Sequence, residues 1–254
     1  MNLELSGHGV VVVGGAMGIG RAIADTFRAE GCQVGVLDLQ ECEDVISADV
    51  RNFQQVQAGV QSFREKFGRL DHAIYAAGMG SGKFGFPFWN LEPEDWGPVL
   101  EVNLTGAVNF AHVCTPFLRE QREGSMLFLT SVAGQNGSQT DPPYSAAKAG
   151  LINFMQCAAK DLAEFSIRVN ALAPGMVKTS INQSVWQSVQ NQCAEEDRQT
   201  YDEWADEKIN KIAPLGRWQT PEECAAMSVF LASRLARNIT GQTLNVDGGQ
   251  VMHA

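Results

Sequence analysis

The amino-acid sequence predicts an α/β protein: one domain on a doubly wound, seven-stranded parallel sheet with helices on both faces. Three observations lead there. Short apolar runs of strand length alternate with longer segments of helical period. The first run, Val10–Gly14, is apolar throughout, as a strand buried on both faces requires. No linker, repeat or low-complexity tract divides the 254 residues, so residues 1–254 read as one unit.

The elements follow in order. After Val10–Gly14, residues Ile19, Ile23 and Phe27 share one helical face, and Gly31 ends that helix. Gln33–Asp38 is a second strand, Val45–Ala48 a short third, and Phe53–Phe67 a helix. His72–Ala76 is the fourth strand, Met126–Thr130 the fifth, Ile167–Ala171 the sixth and Thr243–Val246 the seventh. Long helices are expected over Trp96–Leu118, Tyr144–Glu164 and Pro221–Leu231. Repeated β-α-β units make the sheet parallel. Residues Ile181–Lys211 break the rhythm: they are polar, acidic and helical in character, with no strand partner.

Composition narrows the function. Nineteen Lys and Arg oppose 29 Asp and Glu, a net charge of −10, which disfavours nonspecific binding to nucleic acid or anionic membranes. No apolar stretch is long enough to span a bilayer, and Met1–Leu5 carries no export signature. Six scattered cysteines without a C-x-x-C pair read as reduced, buried thiols of a cytoplasmic protein. Four dispersed histidines offer no metal spacing, so no metal is expected.

The first strand runs into Gly14-Gly15-Ala16-Met17-Gly18-Ile19-Gly20, glycines placed between a buried strand and a helix. There the backbone can turn sharply and approach a pyrophosphate, whose charge rests on the helix N-terminus. Asp38 ends the second strand, 18 residues after Gly20. A carboxylate there can accept hydrogen bonds from both ribose hydroxyls of an adenosine and repel a 2′-phosphate. Positions where a base would welcome NADP hold Met17 and Leu39. The reading is a Rossmann fold that binds NAD.

A second constellation follows. Ser131 comes just after the fifth strand, Tyr144 and Lys148 lie four apart on one helix face, and Asn103 sits in a helix. A free tyrosine, with a pKa of about 10, is a poor base at neutral pH. A nearby ammonium and an oxidised nicotinamide would both lower that value. These residue types suit hydride transfer coupled to proton transfer.

Taken together, these motifs make the chain resemble a short-chain dehydrogenase/reductase over nearly its whole length. The family's glycine loop matches Val13–Gly20, and its adenine contact matches Asp49-Val50. The strand end matches Tyr75-Ala76-Ala77-Gly78, the helix asparagine matches Asn103, and the catalytic set matches Ser131, Tyr144 and Lys148. The nicotinamide loop matches Pro174-Gly175-Met176-Val177-Lys178-Thr179, and Asn245–Gly249 is family-like as well. The resemblance implies that Tyr144 is the general acid/base and that Lys148 binds the nicotinamide ribose. It implies that Ser131 orients the carbonyl or alcohol, and that Asn103 holds a water. Val177 and Thr179 would fix the carboxamide. It also implies a homotetramer packed through the long helices. The chain departs from the family at Val13, Met17, Tyr75 and Ala76. Tyr75 and Ala76 replace two asparagines that brace the central strands, so some loss of local rigidity is expected.

The activity expected is NAD-dependent interconversion of a small secondary alcohol and its ketone, with polyols and sugars among the candidates. The rivals are a 3-oxoacyl-[acyl-carrier-protein] reductase and a catalytically silent NAD-sensing protein. The former usually wants NADPH and a basic surface; the intact Asn103, Ser131, Tyr144 and Lys148 argue against the latter. The Tyr144–Lys148 gap is shorter than in enoyl reductases, and the chain is short for a nucleotide-sugar epimerase. Segment 181–218 is expected to form a lid over the substrate. Trp186, Tyr201 and Trp204 read first as a packed face and second as a pocket lining. Seven acids against two bases between Asn191 and Asn210 put half of the net charge on that lid. Such a lid would discourage anionic substrates and acidic carriers. The aromatic segment Met79–Asn90 and Asp141 are further candidates to touch the substrate.

Overall fold

A computed structural model describes residues 2–40, 42–83, 85–138, 140–177, 180–191 and 193–252; at residues 180, 181 and 184 it describes the backbone alone. Seven parallel strands form one sheet: β1 (Gly9–Val13), β2 (Gln33–Asp38), β3 (Val45–Ser47), β4 (His72–Tyr75), β5 (Gly124–Leu129), β6 (Ile167–Pro174) and β7 (Thr243–Val246). Their spatial order is β3-β2-β1-β4-β5-β6-β7. The order reverses between β1 and β4, and a crevice opens at the carboxyl ends of strands at such a switch point.

Strand alternation divides the core in two. Val11, Val13, Ala73 and Tyr75 point to one face, where they pack with residues of α2 (Phe53–Phe67), α4 (Gly106–Gln121) and α5 (Pro142–Leu162). Val10, Val12 and Ile74 point to the other, against α1 (Gly18–Ala29) and α8 (Pro221–Ala232). The helix ends follow local chemistry. Asn52 caps α2 by accepting from the Gln55 N–H, and the left-handed Gly68 closes it. Thr220 and Glu223 form a reciprocal capping box on α8, with Pro221 at its first turn.

Three expectations change. The helix predicted over Trp96–Leu118 is three pieces: α3 (Trp96–Leu100), a π-helical turn over Glu101–Thr105, and α4. Asn103 therefore sits in a π turn, not a regular helix. The cause lies in side chains that take up backbone carbonyls: Asn103 Nδ2 donates to Val99 O, and the Tyr75 hydroxyl donates to Val102 O. Strand β6 runs three residues past Ala171, because Leu172, Ala173 and Pro174 pair with Leu244, Asn245 and Val246. The cysteines also split: Cys114 and Cys224 are buried, while Cys42 and Cys157 are exposed.

Segment 181–218 contains most of α6 (Ser180–Gln190) and all of α7 (Tyr201–Ile212). Ile209 packs with Met176, just beyond β6. The Trp186 ring meets Tyr201 edge to face and Tyr201 meets Trp204 at a tilt, with centroids 5.8 and 6.0 Å apart. No described helix is long and apolar enough to cross a membrane.

Candidate functional site

The glycine loop is shaped by close approach. Gly14 has φ +76°, and a Cβ there would lie 2.5 Å from Ala77 N. A Cβ on Gly20 would collide with the carbonyl of Gly14. The loop can thus fold tightly onto the end of β4, where Ala76 N donates to Val13 O at 2.8 Å. Gly18 opens α1, with nothing within 4 Å of where its Cβ would stand, so a ligand can approach the helix N-terminus directly.

Asp38 stands beside this loop. One carboxylate oxygen accepts from Ala16 N at 3.0 Å, and the other from Gln40 N at 3.1 Å. A carboxylate has about four acceptor positions, so each oxygen keeps one for a ligand hydroxyl. Met17 and Leu39 are exposed nearby. The stretch 39–44, Leu-Gln-Glu-Cys-Glu-Asp, holds three acids and no base. Ala48 N donates to Asp38 O, which brings Asp49 and Val50 to the same end of the sheet. Arg51 takes up the Asp49 carboxylate at 2.6 Å and holds it below its usual range. These groups fit an adenosine: a bare helix N-terminus, a tight glycine turn and an acid at the ribose position. The exposed Met17 and Leu39 carry no charge.

The other end of the crevice is a cleft of about 400 Å³. Ser131, Tyr144 and Lys148 line it, together with Ile19, Ala76, Gly78, Pro174, Gly175 and Val177. Ser131 leaves β5 just past the sheet, and Tyr144 and Lys148 come from the first two turns of α5. Asp141 caps that helix by accepting from Tyr144 N, and Pro142 begins it. Ser131 Oγ accepts from Ala133 N at 3.1 Å. Its hydroxyl also contacts the Tyr144 phenol.

Lys148 is buried, and its ammonium donates to Leu129 O at 2.9 Å, 5.5 Å from the Tyr144 ring centroid. Asn103 is fully buried behind it. Its Nδ2 donates to Met79 O and Val99 O, while its Oδ1 has no partner. A point one Cβ bond from Gly78 lies 2.9 Å from that Oδ1 and 3.3 Å from Lys148 Nζ. Both atoms therefore lie close beside Gly78.

The electrostatics differ from the simple expectation for tyrosine. Burial pushes the Tyr144 phenol up to about 12; the Ser131 hydrogen bond works against this and the Asp141 charge adds to it. Burial also pulls Lys148 down to about 7. The chain's own groups thus keep the phenol protonated rather than lowering its pKa, because desolvation outweighs the Ser131 hydrogen bond. Burial raises the Asp141 carboxyl as well.

The expected residues fall into two groups. Tyr144, Lys148, Ser131, Ile19, Ala76, Gly78, Pro174, Gly175 and Val177 share the cleft, with Asn103 against its back wall. Gly14, Gly20 and Ala77 shape the floor beside it. Met17, Gly18, Asp38, Asp49 and Val50 lie farther along the crevice, beside the glycine loop and the ends of β2 and β3. Thr179 lies outside the described residues. Asn182, Lys208 and Gln250 also line the cleft, which no motif signals. The role of Tyr75 was not foreseen either: instead of leaving the strand unbraced, it ties β4 to the π turn. Among the described residues no group of three or more His, Cys, Asp or Glu could hold a metal ion.

Comparison with known proteins agrees with this architecture. Residues 14–251 match a family model described as Enoyl-(Acyl carrier protein) reductase. The chain is 32% identical over 265 residues to the 3-oxoacyl-[acyl-carrier-protein] reductase FabG of Thermotoga maritima, covering 98% of this chain and 100% of that one. It is equally identical, at 32% over 258 residues, to an acetoacetyl-CoA reductase of Synechocystis, covering 98% of each. Aldohexose dehydrogenase of Thermoplasma acidophilum superposes with a TM-score of 0.89 at 28% identity, covering 100% of this chain and 98% of that one. The chain belongs to the short-chain dehydrogenase/reductase family of oxidoreductases.

Proposed function

We propose that the protein is an NAD-dependent dehydrogenase/reductase that interconverts a small secondary alcohol and its ketone. The observation that carries this is the shared cleft of Ser131, Tyr144 and Lys148, continuous with a glycine loop that ends beside Asp38. Bound NAD would supply hydride acceptance and donation. The floor glycines and the α1 N-terminus would hold its pyrophosphate, Asp38 its ribose, and Pro174, Gly175, Val177 and Thr179 its nicotinamide end. The residues at 49–50 would flank the adenine.

The chain's own groups then handle the proton. The Ser131 hydroxyl holds the substrate oxygen beside the Tyr144 hydroxyl. At neutral pH the buried phenol holds its proton, ready to pass it to an oxygen that becomes alkoxide as the ketone is reduced. In the opposite direction the phenol first gives up its proton, the Lys148 ammonium stabilises the phenolate so formed, and the phenolate takes the alcohol proton. Lys148 sits near its titration midpoint, so small changes in nearby charge shift its protonation. A water between Asn103 Oδ1 and Lys148 Nζ would replenish that proton. Segment 181–218 acts as a lid, since Asn182, Val185, Lys208 and Ile212 line the cleft. A homotetramer packed through α4 and α5 completes the proposal, and light scattering on the eluting protein tests it.

Reduction of a 3-oxoacyl thioester on an acidic carrier is the second reading, favoured by the names of the relatives. The acidic run between 191 and 210 opposes it by like-charge repulsion. The deciding experiment is a panel of alcohols, polyols, sugars and ketones assayed with NAD(H) and NADP(H), beside a 3-oxoacyl carrier substrate. Turnover of a free alcohol with NAD supports the proposal. Turnover of the carrier substrate alone, or preference for NADP, overturns it. Thermal shifts check the cofactor separately: NAD should stabilise the protein more than NADP, and Asp38→Gly should narrow the difference.

A further inference from the structure

This inference rests on the oxidoreductase reading above and narrows its substrate. Among the described residues, three charged side chains line the cleft: Asp141, Lys148 and Lys208. Two of them are satisfied by the backbone. Lys148 donates to the carbonyl of Leu129, and Asp141 accepts from Ser81 N at 2.7 Å and from Tyr144 N. Lys208 is different. It stands on α7, half-buried, and makes no ion pair with a carboxylate among the described residues. Its ammonium rests on the indole of Trp204, 4.4 Å from the ring centroid. Burial alone moves it down to about 8, with no carboxylate pulling it back. A cation–π contact holds the head group without neutralising its charge. An unpaired, partly desolvated cation is costly unless something pairs with it.

A second polar group in the cleft also lacks a partner. Gln250 reaches the cleft from beyond β7, and its amide oxygen is buried with no hydrogen bond. With the oxygen shut off from the cleft, the NH₂ is the end left to donate to a ligand. The outer side of α7 has the opposite character: Glu203, Asp206 and Glu207 are exposed, and Glu207 pairs with Lys211 at 2.5 Å. Negative charge therefore faces solvent, while the cation of α7 that lines the cleft pairs with no carboxylate among the described residues. That arrangement repels a large acidic carrier at the surface, yet leaves a partner for a small anion that has entered. Screening over about 8 Å at physiological salt weakens the outer repulsion for a small ion, and the cleft interaction is screened less.

We propose that Lys208 and Gln250 form an anion-holding subsite and that the substrate is a small hydroxy acid or its keto acid, with the carboxylate on Lys208 and the reacting carbon at Tyr144 and Ser131. The acidic run on the lid then excludes carriers rather than anions in general.

The test compares each acid with its neutral twin. Lactate, 3-hydroxybutyrate and 4-hydroxyvalerate are assayed with NAD beside their methyl esters, on wild type, Lys208→Met and Lys208→Arg. The wild type should favour at least one acid over its ester by tenfold or more in kcat/KM. Lys208→Met should lower that acid-to-ester ratio at least tenfold, and Lys208→Arg should restore part of it. A ratio unchanged by Lys208→Met, or a wild type that favours every ester, overturns the proposal. Binding gives a reading that needs no turnover: pyruvate, acetoacetate and levulinate are titrated into the NADH-loaded protein and followed by nicotinamide fluorescence. Affinity should fall tenfold or more in Lys208→Met and weaken with added KCl. Lysine-dependent binding without turnover overturns the oxidoreductase reading and keeps the subsite. Equal binding by both proteins, or binding by neither, overturns the subsite and leaves the oxidoreductase reading to the neutral-substrate panel.

Discussion

Tyr75→Phe isolates one oxygen atom with a defined task. The side chain is fully buried at the end of β4, and its hydroxyl donates to Val102 O in the π turn that carries Asn103. Removing the hydroxyl leaves that carbonyl inside the protein without this donor. An unsatisfied buried carbonyl costs about 1–3 kcal/mol, and the lost oxygen is too small to open a large cavity. For a chain of this length, each kcal/mol lowers the thermal midpoint by about 2–4 °C. A loss of roughly 2 kcal/mol, or 4–8 °C, is expected. Gly106 adds an internal control, because a Cβ there would lie 2.6 Å from the Tyr75 hydroxyl and 2.8 Å from a Val50 methyl. Gly106→Ala should destabilise the wild type, and less so when Tyr75 is already Phe, since one of the two clashes is gone. Urea unfolding of the four proteins gives both terms. Because Asn103 follows Val102, kcat should fall several-fold in Tyr75→Phe while NAD affinity holds. A midpoint within 1 °C of wild type, or strictly additive urea stabilities, would refute the bracing role.

Three further outcomes follow from the same structure. His72 is buried between His8 Nδ1 at 3.0 Å and Ser125 Oγ at 2.9 Å, and burial holds it unprotonated down to about pH 3. The unfolded chain takes up that proton near 6.5, so stability is present above 6.5 and is lost toward pH 3, by up to about 1.4 kcal/mol per pH unit. Denaturant unfolding between pH 6.5 and 4.5 should therefore slope less steeply in His72→Gln; equal slopes would contradict this. Gly20→Ala should weaken NAD binding at least tenfold by calorimetry, because its Cβ collides with the Gly14 carbonyl and the loop must open; wild-type affinity would count against the glycine argument. Asn103→Ala removes the unpaired oxygen facing Lys148, so the pH profile of kcat should shift while the KM for NAD stays near wild type. An unchanged profile removes the water relay.

What could be read from the sequence was what depends on local spacing. Tyr144 and Lys148 share a face because they lie four apart on one helix, and Ser131 meets them because a strand end points at a fixed edge of the sheet. The glycine loop and Asp38 are legible for the same reason. The π turn was not, because it depends on a contact between Tyr75 and Val102, which are 27 residues apart. Substituting Tyr75 for an asparagine looked like a lost brace, since nothing local reveals where a phenol tip ends. The desolvation of Tyr144 also escaped: charges can be guessed from neighbours, but desolvation depends on packing from all sides. Lys208 looked like one base in an acidic run. Only the folding of α7 over the cleft separates it from the acids beside it.

The central claim is that Tyr144 moves the proton that accompanies hydride transfer. The most direct test is the initial rate of NADH formation by wild type and Tyr144→Phe, on whichever alcohol the panel identifies, with NAD affinity measured on both. A positioned acid/base contributes about 10²–10⁴-fold, so the variant should lose at least a hundredfold in kcat while its NAD affinity stays within about threefold. Turnover within tenfold of wild type, with NAD still bound, would contradict the account.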